Sequence, residues 1–310
     1  MISEKIAVFG IDDSYFGDII IDFLSKNFYQ IGIFGKLNRI EKLKQFTVIG
    51  QLIPEKLTSN NLKQIDCYDK ILINLDSQSL LDFLKNNNLI EYLRKAEKEI
   101  FVVSRVECLN SKFVSKKFNQ INSFDKLLNK FPLTHFLRIP FIYHSPYNIL
   151  LKMLNLSSIL QHFCYIVKNS KISLVSSDDF MQSLSILING KGEDIAGEVY
   201  ETDQFYQDIY NCLGFDSYKK LWINKVVFKI LLIFDFRSNN IKLSNDDIGM
   251  IVDNSEVCNI RISINKIREI KTRSVREKWL KDIYSFHHSR KFFDNDYRKF
   301  NDYYPFLNQK

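Results

Sequence analysis

Residues 5–35, KIAVFGIDDSYFGDIIIDFLSKNFYQIGIFG, decide the fold of this chain. KIAVFG is a short apolar run that ends in glycine, the next segment carries apolar residues at helical spacing, and IGIFG is a second run of the buried type. Two strands that are joined by a helix run parallel to each other in one sheet. The opening of the chain therefore predicts a parallel sheet.

The same alternation continues as far as residue 143. Further apolar runs of strand length, separated by amphipathic stretches, are DKILINLD (69–76), EIFVVSRV (99–106) and THFLRIPFIY (134–143). Strands that alternate with helices indicate a doubly wound parallel sheet with helices on both faces. We therefore predict an α/β fold with a Rossmann-type dinucleotide-binding sheet in residues 1–143.

Beyond residue 143 the alternation weakens. KISLVSS and GEVYET are short strand candidates, and DDFMQSLSILING is a helix candidate that ends at Gly190. We predict a smaller mixed α/β lobe over residues 144–260, interleaved with the Rossmann core. Residues 261–310 are predicted to form a basic, aromatic C-terminal extension.

Composition excludes several classes of protein. Of the 310 residues, 45% are hydrophobic and 25% are charged, which excludes a disordered or collagen-like chain. The five cysteines are scattered without a CxxC pair, so we expect neither a disulfide framework nor a metal site. The longest apolar stretch, Val226–Phe234, contains Lys229 and is shorter than the roughly 20 residues that cross a bilayer. MISEKIAVFG leads directly into the first strand, so we expect no export signal.

The positive charge is concentrated at the C-terminal end. The chain has 43 Lys and Arg against 36 Asp and Glu, a net charge of +7, and residues 261–310 hold thirteen of the basic and six of the acidic residues. This segment therefore carries the whole excess. A basic segment of this kind can bind anionic lipid, an acidic protein partner or nucleic acid, the last being the least expected, or it can be a solvated helix face.

Gly10 and Gly17 mark a candidate phosphate-binding turn after the first strand. In dinucleotide-binding folds, glycines at this place let a pyrophosphate approach the backbone amides at a helix N-terminus. Asp12 and Asp13 stand between the two glycines, and their carboxylates would repel a diphosphate. The alternative interpretation is a simple turn with a close helix contact.

The residues after the second strand bear on the choice of cofactor. An acidic residue at this place would bind the ribose 2′-hydroxyl of NAD, but this chain has Lys36 and Arg39 instead. Two cations suit a 2′-phosphate. The sequence therefore predicts NADP(H) as the cofactor, bound weakly or lost because of the aspartates in the turn.

Several short motifs resemble those of the extended, atypical short-chain dehydrogenase/reductases. They are the Gly-containing first turn, ILINL with Asn74, VVSRV with Ser104, SKFVSKKF with Lys117 and LRIPFIYH with Arg138. The resemblance implies that these residues line the cofactor site, with Lys117 at the nicotinamide ribose. Phe113 stands where that family has its catalytic tyrosine, and phenylalanine has no ionisable group. We therefore assign no catalytic residue.

Three stretches resemble a particular group within that family, the NAD(P)-binding accessory subunit of respiratory complex I, the NADH:quinone oxidoreductase. They are VIGQLIP (48–54), GEVYET (197–202) and KLSNDDIGMIVDNSEV (242–257). The resemblance implies a non-catalytic accessory subunit whose partners are other subunits of the respiratory complex. It also implies a peripheral place on the cytoplasmic side of a bacterial inner membrane, or on the matrix side in a mitochondrion.

Two other functions fit the same residues. An NAD(P)-dependent oxidoreductase or epimerase of the extended family would have to take its acid from Tyr143 or Ser104. An NADPH-sensing regulator of the NmrA type would also lack the catalytic tyrosine, and it would use the basic extension on its partner. The sequence leaves both functions open.

Overall fold

A computed structural model of the chain describes residues 4–11, 17–27, 30–34, 52–53, 62–85, 87–109, 116–143, 163–167, 171–196, 198–201, 203–204, 207, 219–223 and 268–269. The strands in this part of the chain are β1 Lys5–Phe9, β2 Gln30–Phe34, β3 Leu52–Ile53, β4 Lys70–Asn74, β5 Glu99–Arg105, β6 Thr134–Ile139, β7 Phe141–Tyr143, β8 Phe163–Val167, β9 Lys171–Ser176, β10 Glu193–Ala196, β11 Glu198–Glu201, β12 Lys219–Ile223 and β13 Arg268–Glu269. The α-helices are α1 Gly17–Lys26, α2 Gln78–Leu84, α3 Asn87–Lys95, α4 Lys116–Leu128 and α5 Ser177–Ile188.

Eight of these strands form one sheet in the order β3-β2-β1-β4-β5-β6-β10-β13, and every neighbouring pair is parallel. The chain moves outward from β1 to β3 and then returns to place β4 on the other side of β1. Because crossovers between parallel strands are right-handed, this reversal puts the helices of the two halves on opposite faces. The predicted Rossmann-type, doubly wound sheet is confirmed.

The central strands are covered on both faces. β1 and β4 each begin with a partly exposed lysine and continue with four buried residues, and β5 has six buried residues after Glu99. Such unbroken apolar runs are typical of parallel strands between two helical layers, because no face is left for water. On the helical layers, α1 packs against α5, and α2 packs against α4.

Polar contacts close the amino end of the sheet. Lys98 Nζ donates to the carbonyl oxygens of Ile65, Asp66 and Tyr68 at 2.9, 2.8 and 2.6 Å. These carbonyls end a short 3-10 helix, and an ammonium group stabilises them there. Nearby, the Tyr92 hydroxyl donates to the Asp66 carboxylate at 2.6 Å, and burial together with this hydrogen bond raises the pKa of Tyr92. Lys98 and Tyr92 thus connect the 3-10 helix to the segment before β5.

The described residues divide into two compact units. The first unit holds the eight-stranded sheet and comprises Met1–Pro140, Ser177–Ala196 and Asn265–Ile270. The second unit comprises Phe141–Ser176, Gly197–Ile264 and Lys271–Lys310. It holds the three-stranded sheet β7-β9-β11, in which β11 is antiparallel to β9, and the parallel pair β8-β12.

The path of the chain between the units bears on the predicted domains. The chain leaves the first unit after Pro140 and returns with α5 and β10, so the segment after residue 143 also supplies a helix and a strand to the large sheet. β13 brings Arg268 and Glu269 of the C-terminal extension to the edge of that sheet, beside β10. The rest of the extension lies outside the described residues. The predicted boundaries at residues 143 and 260 stay predictions.

Two glycines shape the connection between β1 and α1. Gly10 has a φ of +77°, and a Cβ atom there would lie 2.5 Å from the carbonyl oxygen of Asn74. Gly17 is the first residue of α1, and a Cβ atom there would lie 2.1 Å from the carbonyl oxygen of Ile11. Neither position has room for a side chain. The helix can therefore begin directly against the end of β1.

The substitution Gly17→Ala should lower the free energy of unfolding by about 2 kcal/mol or more. The added methyl group would clash with the backbone of Ile11, and backbone cannot rotate away as a flexible side chain can. Chemical denaturation measures this loss. The control is Lys26→Ala at the exposed end of the same helix, which should change stability by no more than about 0.5 kcal/mol. Equal losses in the two variants would contradict the close contact between α1 and Ile11.

Candidate functional site

The predicted site residues collect at the carboxyl ends of the central strands. Open α/β sheets bind ligands in the crevice outside the carboxyl ends of the strands, at the point where the strand order reverses. In this sheet that point lies between β1 and β4. Gly10 directly follows β1, Asn74 is the last residue of β4, and Ser104 is the next-to-last residue of β5. The candidate site is therefore this edge of the first unit.

Asn74 fastens the ends of β1 and β4 to each other. Its side chain is fully buried, and Nδ2 donates to the carbonyl oxygen of Gly10 at 2.8 Å. Its Oδ1 accepts a hydrogen bond from the backbone N–H of Asp76 at 3.2 Å. One amide thus fixes both the start of the glycine turn and the exit of β4. Ser77, which follows Asp76, caps α2: its hydroxyl oxygen accepts a hydrogen bond from the N–H of Leu80 at 3.2 Å.

A buried carboxylate lies beside this turn. Asp76 Oδ1 is 3.5 Å from Arg105 Nε and 3.4 Å from Lys117 Nζ. The side chains of Asp76 and Arg105 are 6% and 3% exposed, and that of Lys117 is 18% exposed. A buried carboxylate needs opposite charges nearby, because moving it out of water costs several kcal/mol. We call Asp76, Arg105 and Lys117 the Asp76 cluster.

Arg105 carries the network on to β6. Its Nη1 donates to the carbonyl oxygen of Pro140 at 3.2 Å, immediately after β6 ends. Its guanidinium also lies over the Phe118 ring, 5.8 Å from the centroid, where the negative face of the ring attracts the cation. Arg105 is therefore held by a carboxylate, a carbonyl and an aromatic ring together.

Ser104 and Arg138, both predicted at the cofactor site, have partners inside the protein. The Ser104 hydroxyl is fully buried and donates to the Sγ of Cys108 at 3.9 Å. Arg138 makes two parallel hydrogen bonds to the Asp125 carboxylate, of 2.9 Å from Nε and 2.8 Å from Nη2. This bidentate geometry is the strong form of the arginine–carboxylate pair, and it ties β6 to α4.

Three predicted residues and the aspartates of the turn fall outside the described part of the chain. They are Lys36, Arg39, Phe113, Asp12 and Asp13. The structure thus brings Gly10, Gly17, Asn74, Ser104 and Lys117 to one edge. Within the described residues, no group of three or more His, Cys, Asp or Glu is placed to hold a metal ion. None of the helices described is both long and apolar enough to cross a membrane.

Asp76, Arg105 and Asp125 were not predicted from the sequence to lie at this site. The sequence held a signal for Asp76 and Arg105, because each is a charged residue at or just beyond the end of an apolar strand. Such a residue needs an opposite charge nearby when it is buried. Asn74 pairs with Val103 in the sheet register. Asp76 and Arg105 each lie two residues further along than this pair. They therefore come side by side at the carboxyl ends of the two strands.

Comparison with known proteins identifies the fold. No protein-family model and no curated protein matches the sequence. Among solved structures, leucoanthocyanidin reductase from Vitis vinifera in a binary complex with NADPH has a TM-score of 0.64 and 10% identity, over 90% of this chain and 99% of that one. The NADPH-dependent quinone oxidoreductase from Escherichia coli, complexed with NADPH, has a TM-score of 0.63 and 14% identity, over 90% and 94%.

A sugar-nucleotide enzyme has a similar fold. The UDP-glucuronic acid 4-epimerase from Bacillus cereus, in complex with UDP-glucuronic acid and NAD, has a TM-score of 0.54 and 15% identity, over 84% of this chain and 100% of that one. The three matches each cover 84% or more of this chain and 94% or more of the other chain. The chain therefore has the fold of NAD(P)-dependent reductases and epimerases.

The substitution Arg105→Met should lower the free energy of unfolding by about 3–5 kcal/mol, because it takes from the buried Asp76 carboxylate one of the two cations of its cluster. Urea denaturation gives the value. The matched control is Lys85→Met, which removes one ion-pair partner of the exposed Asp82 carboxylate and should cost no more than about 1 kcal/mol. If both variants lose the same small amount, Arg105 does not support the strand ends as described.

Proposed function

We propose that this protein is a member of the extended short-chain dehydrogenase/reductases that binds NADP(H) at the edge between β1 and β4. The observation that carries the proposal is the turn of Gly10 and Gly17. A left-handed glycine ends β1, and α1 begins with a residue that has no side chain, against the carbonyl of Ile11. A helix N-terminus at a strand reversal accepts phosphate groups. The two reductases with this fold and bound NADPH support the choice of ligand.

Each predicted residue has a proposed role at this edge. Gly10 and Gly17 give the pyrophosphate access to backbone amides, and Lys36 with Arg39 attracts the 2′-phosphate. Lys117 faces the nicotinamide ribose. Asn74 does not contact the nucleotide in this proposal. It positions Gly10, because its amide donates a hydrogen bond to the Gly10 carbonyl.

Ser104 and Arg138 also support the proposed site from within. Ser104 is buried against Cys108, and Arg138 is paired with Asp125 on α4. Their partners hold the ends of β5 and β6 in place. When bound, NADP(H) supplies a nicotinamide ring that can exchange a hydride with a substrate. This chain's own contribution is to bind and orient that nucleotide.

The residues present argue against the tyrosine-dependent chemistry of the family. Phe113 cannot transfer a proton, and the Ser104 hydroxyl is fully buried. We therefore propose that the protein binds its nucleotide without reducing a substrate. The alternative, an active oxidoreductase or epimerase that uses Ser104 or Tyr143 as the acid, is favoured by the activities in the names of the compared enzymes. Catalytic measurements separate the two.

A second proposal is that the protein is an accessory subunit docked to a respiratory NADH:quinone oxidoreductase. Its support is the resemblance of residues 48–54, 197–202 and 242–257 to that group, together with the basic extension over residues 261–310. The extension would contact other subunits or the membrane surface. An anionic membrane surface attracts each nearby basic residue with a free energy of about 1 kcal/mol. The compared structures favour NAD(P)-dependent chemistry over this second proposal. Purification of the full chain with the intact respiratory complex is its test.

The purified full-length chain should bind NADPH saturably and should not oxidise it in the presence of carbonyl or sugar-nucleotide substrates. Fluorescence titration measures binding, and absorbance of NADPH measures turnover. Phe113→Tyr supplies a proton donor four residues before Lys117 in the sequence and should give a measurable rate where the wild type has none. The double variant Lys36→Glu/Arg39→Glu should weaken NADPH at least about tenfold, since two charge-assisted contacts to the 2′-phosphate are lost.

NADH serves as the control ligand, because it lacks the 2′-phosphate. Its affinity should be lower than that of NADPH and should hardly change in the double variant. Steady turnover by the wild type that Lys117→Ala abolishes would establish the active enzyme instead. Tighter binding of NADH than of NADPH would contradict the assigned cofactor.

A further inference from the structure

Asp76 is a buried ionisable residue to which the proposed binding site gives no task. Its carboxylate faces Arg105 and Lys117, and its backbone N–H is held by the side chain of Asn74. It lies between the end of β4 and the start of α2. Its position is therefore fixed by β4, by β5 and by α4, and it adjoins the turn that begins at Gly10.

Lys117 is the member of the Asp76 cluster that reaches solvent. Its side chain is 18% exposed, against 3% for Arg105. Arg105 is also held by the Pro140 carbonyl and the Phe118 ring. Lys117 is in the first turn of α4, at the carboxyl edge of the sheet. A ligand that enters this edge therefore meets the ammonium of Lys117 before the guanidinium of Arg105.

We infer that Asp76 sets the affinity of this edge for its nucleotide by holding Lys117. The inference rests on the proposed function and names the residue that regulates the same site. Phosphate and ribose oxygens accept hydrogen bonds from an ammonium group and are attracted by its charge. The Asp76 carboxylate offers the same ammonium a competing acceptor, and its negative charge opposes the approach of a phosphate. The nucleotide and Asp76 therefore compete for Lys117.

Titration of four full-length proteins with NADPH tests the inference: the wild type, Asp76→Asn, Lys117→Met and the double variant. Asp76→Asn keeps the shape of the side chain and removes its charge, so NADPH should bind on the order of tenfold more tightly, because the ion pair that holds Lys117 and the negative charge that repels a phosphate are both removed. Lys117→Met should bind NADPH more weakly than the wild type. The double variant should lose most of the gain, because the effect of Asp76 acts through Lys117.

Asp82→Asn is the matched control. Asp82 is an exposed carboxylate on α2 that pairs with Lys85, so its substitution changes the net charge of the protein equally. The NADPH affinity of this control should stay within about twofold of the wild type, since exposed charges are screened. Thermal unfolding checks that each variant is folded. Should Asp76→Asn fail to fold, Asp76→Ser, which removes the same charge, takes its place: tighter binding supports the inference, and unchanged affinity overturns it.

The outcomes separate the inference from the proposed function. Wild-type binding that Asp76→Asn does not tighten overturns the inference and leaves the proposed function standing. A gain of the same size in the absence of Lys117 also overturns it. Binding by Asp76→Asn but not by the wild type supports the inference and contradicts NADP(H) binding by the natural chain. Failure of every folded variant to bind overturns both.

Discussion

The side chain of Asn74 joins β1 to β4 at the point where the strand order reverses, and the carboxyl edge of the sheet depends on this junction. Its Nδ2 fixes the carbonyl of Gly10, and its Oδ1 fixes the N–H of Asp76. Asp76 then faces Arg105, and Arg105 donates to Pro140 beyond the end of β6. A continuous line of polar contacts thus crosses β1, β4, β5 and β6.

This line of contacts explains how charges are kept at the edge of an apolar sheet. Backbone groups lose their ladder partners where strands end, and buried groups without partners are costly. The amide of Asn74 and the guanidinium of Arg105 satisfy carbonyls at two of these ends. Because electrostatic interactions are strong where water is excluded, the contacts also make the edge rigid. Gly10 is thereby fixed at the end of β1, and Lys117 is held beside Asp76.

The sequence predicted the sheet because buried parallel strands leave continuous apolar runs, as in KIAVF and KILIN. It also offered, as one of two interpretations of Gly10 and Gly17, a close contact at the start of α1, and Gly17 does lie against the backbone of Ile11. The Asp76 cluster could not be predicted in the same way, because its members meet only through the register of β4 with β5 and the start of α4. The return of α5 and β10 to the large sheet likewise depends on tertiary packing, and no local pattern encodes it.

The proposed nucleotide lies at the carboxyl ends of β1 and β4. Hydrogen–deuterium exchange of the full-length chain, with and without saturating NADPH, shows whether a ligand covers these ends. A nucleotide bound there should slow exchange in the first turn of α1, from Gly17, and in the segment from Asn74 to Ser77, with little change at Lys98 on the opposite edge. Unchanged exchange at Gly17 and Asn74, or protection confined to the amino edge, would contradict this placement.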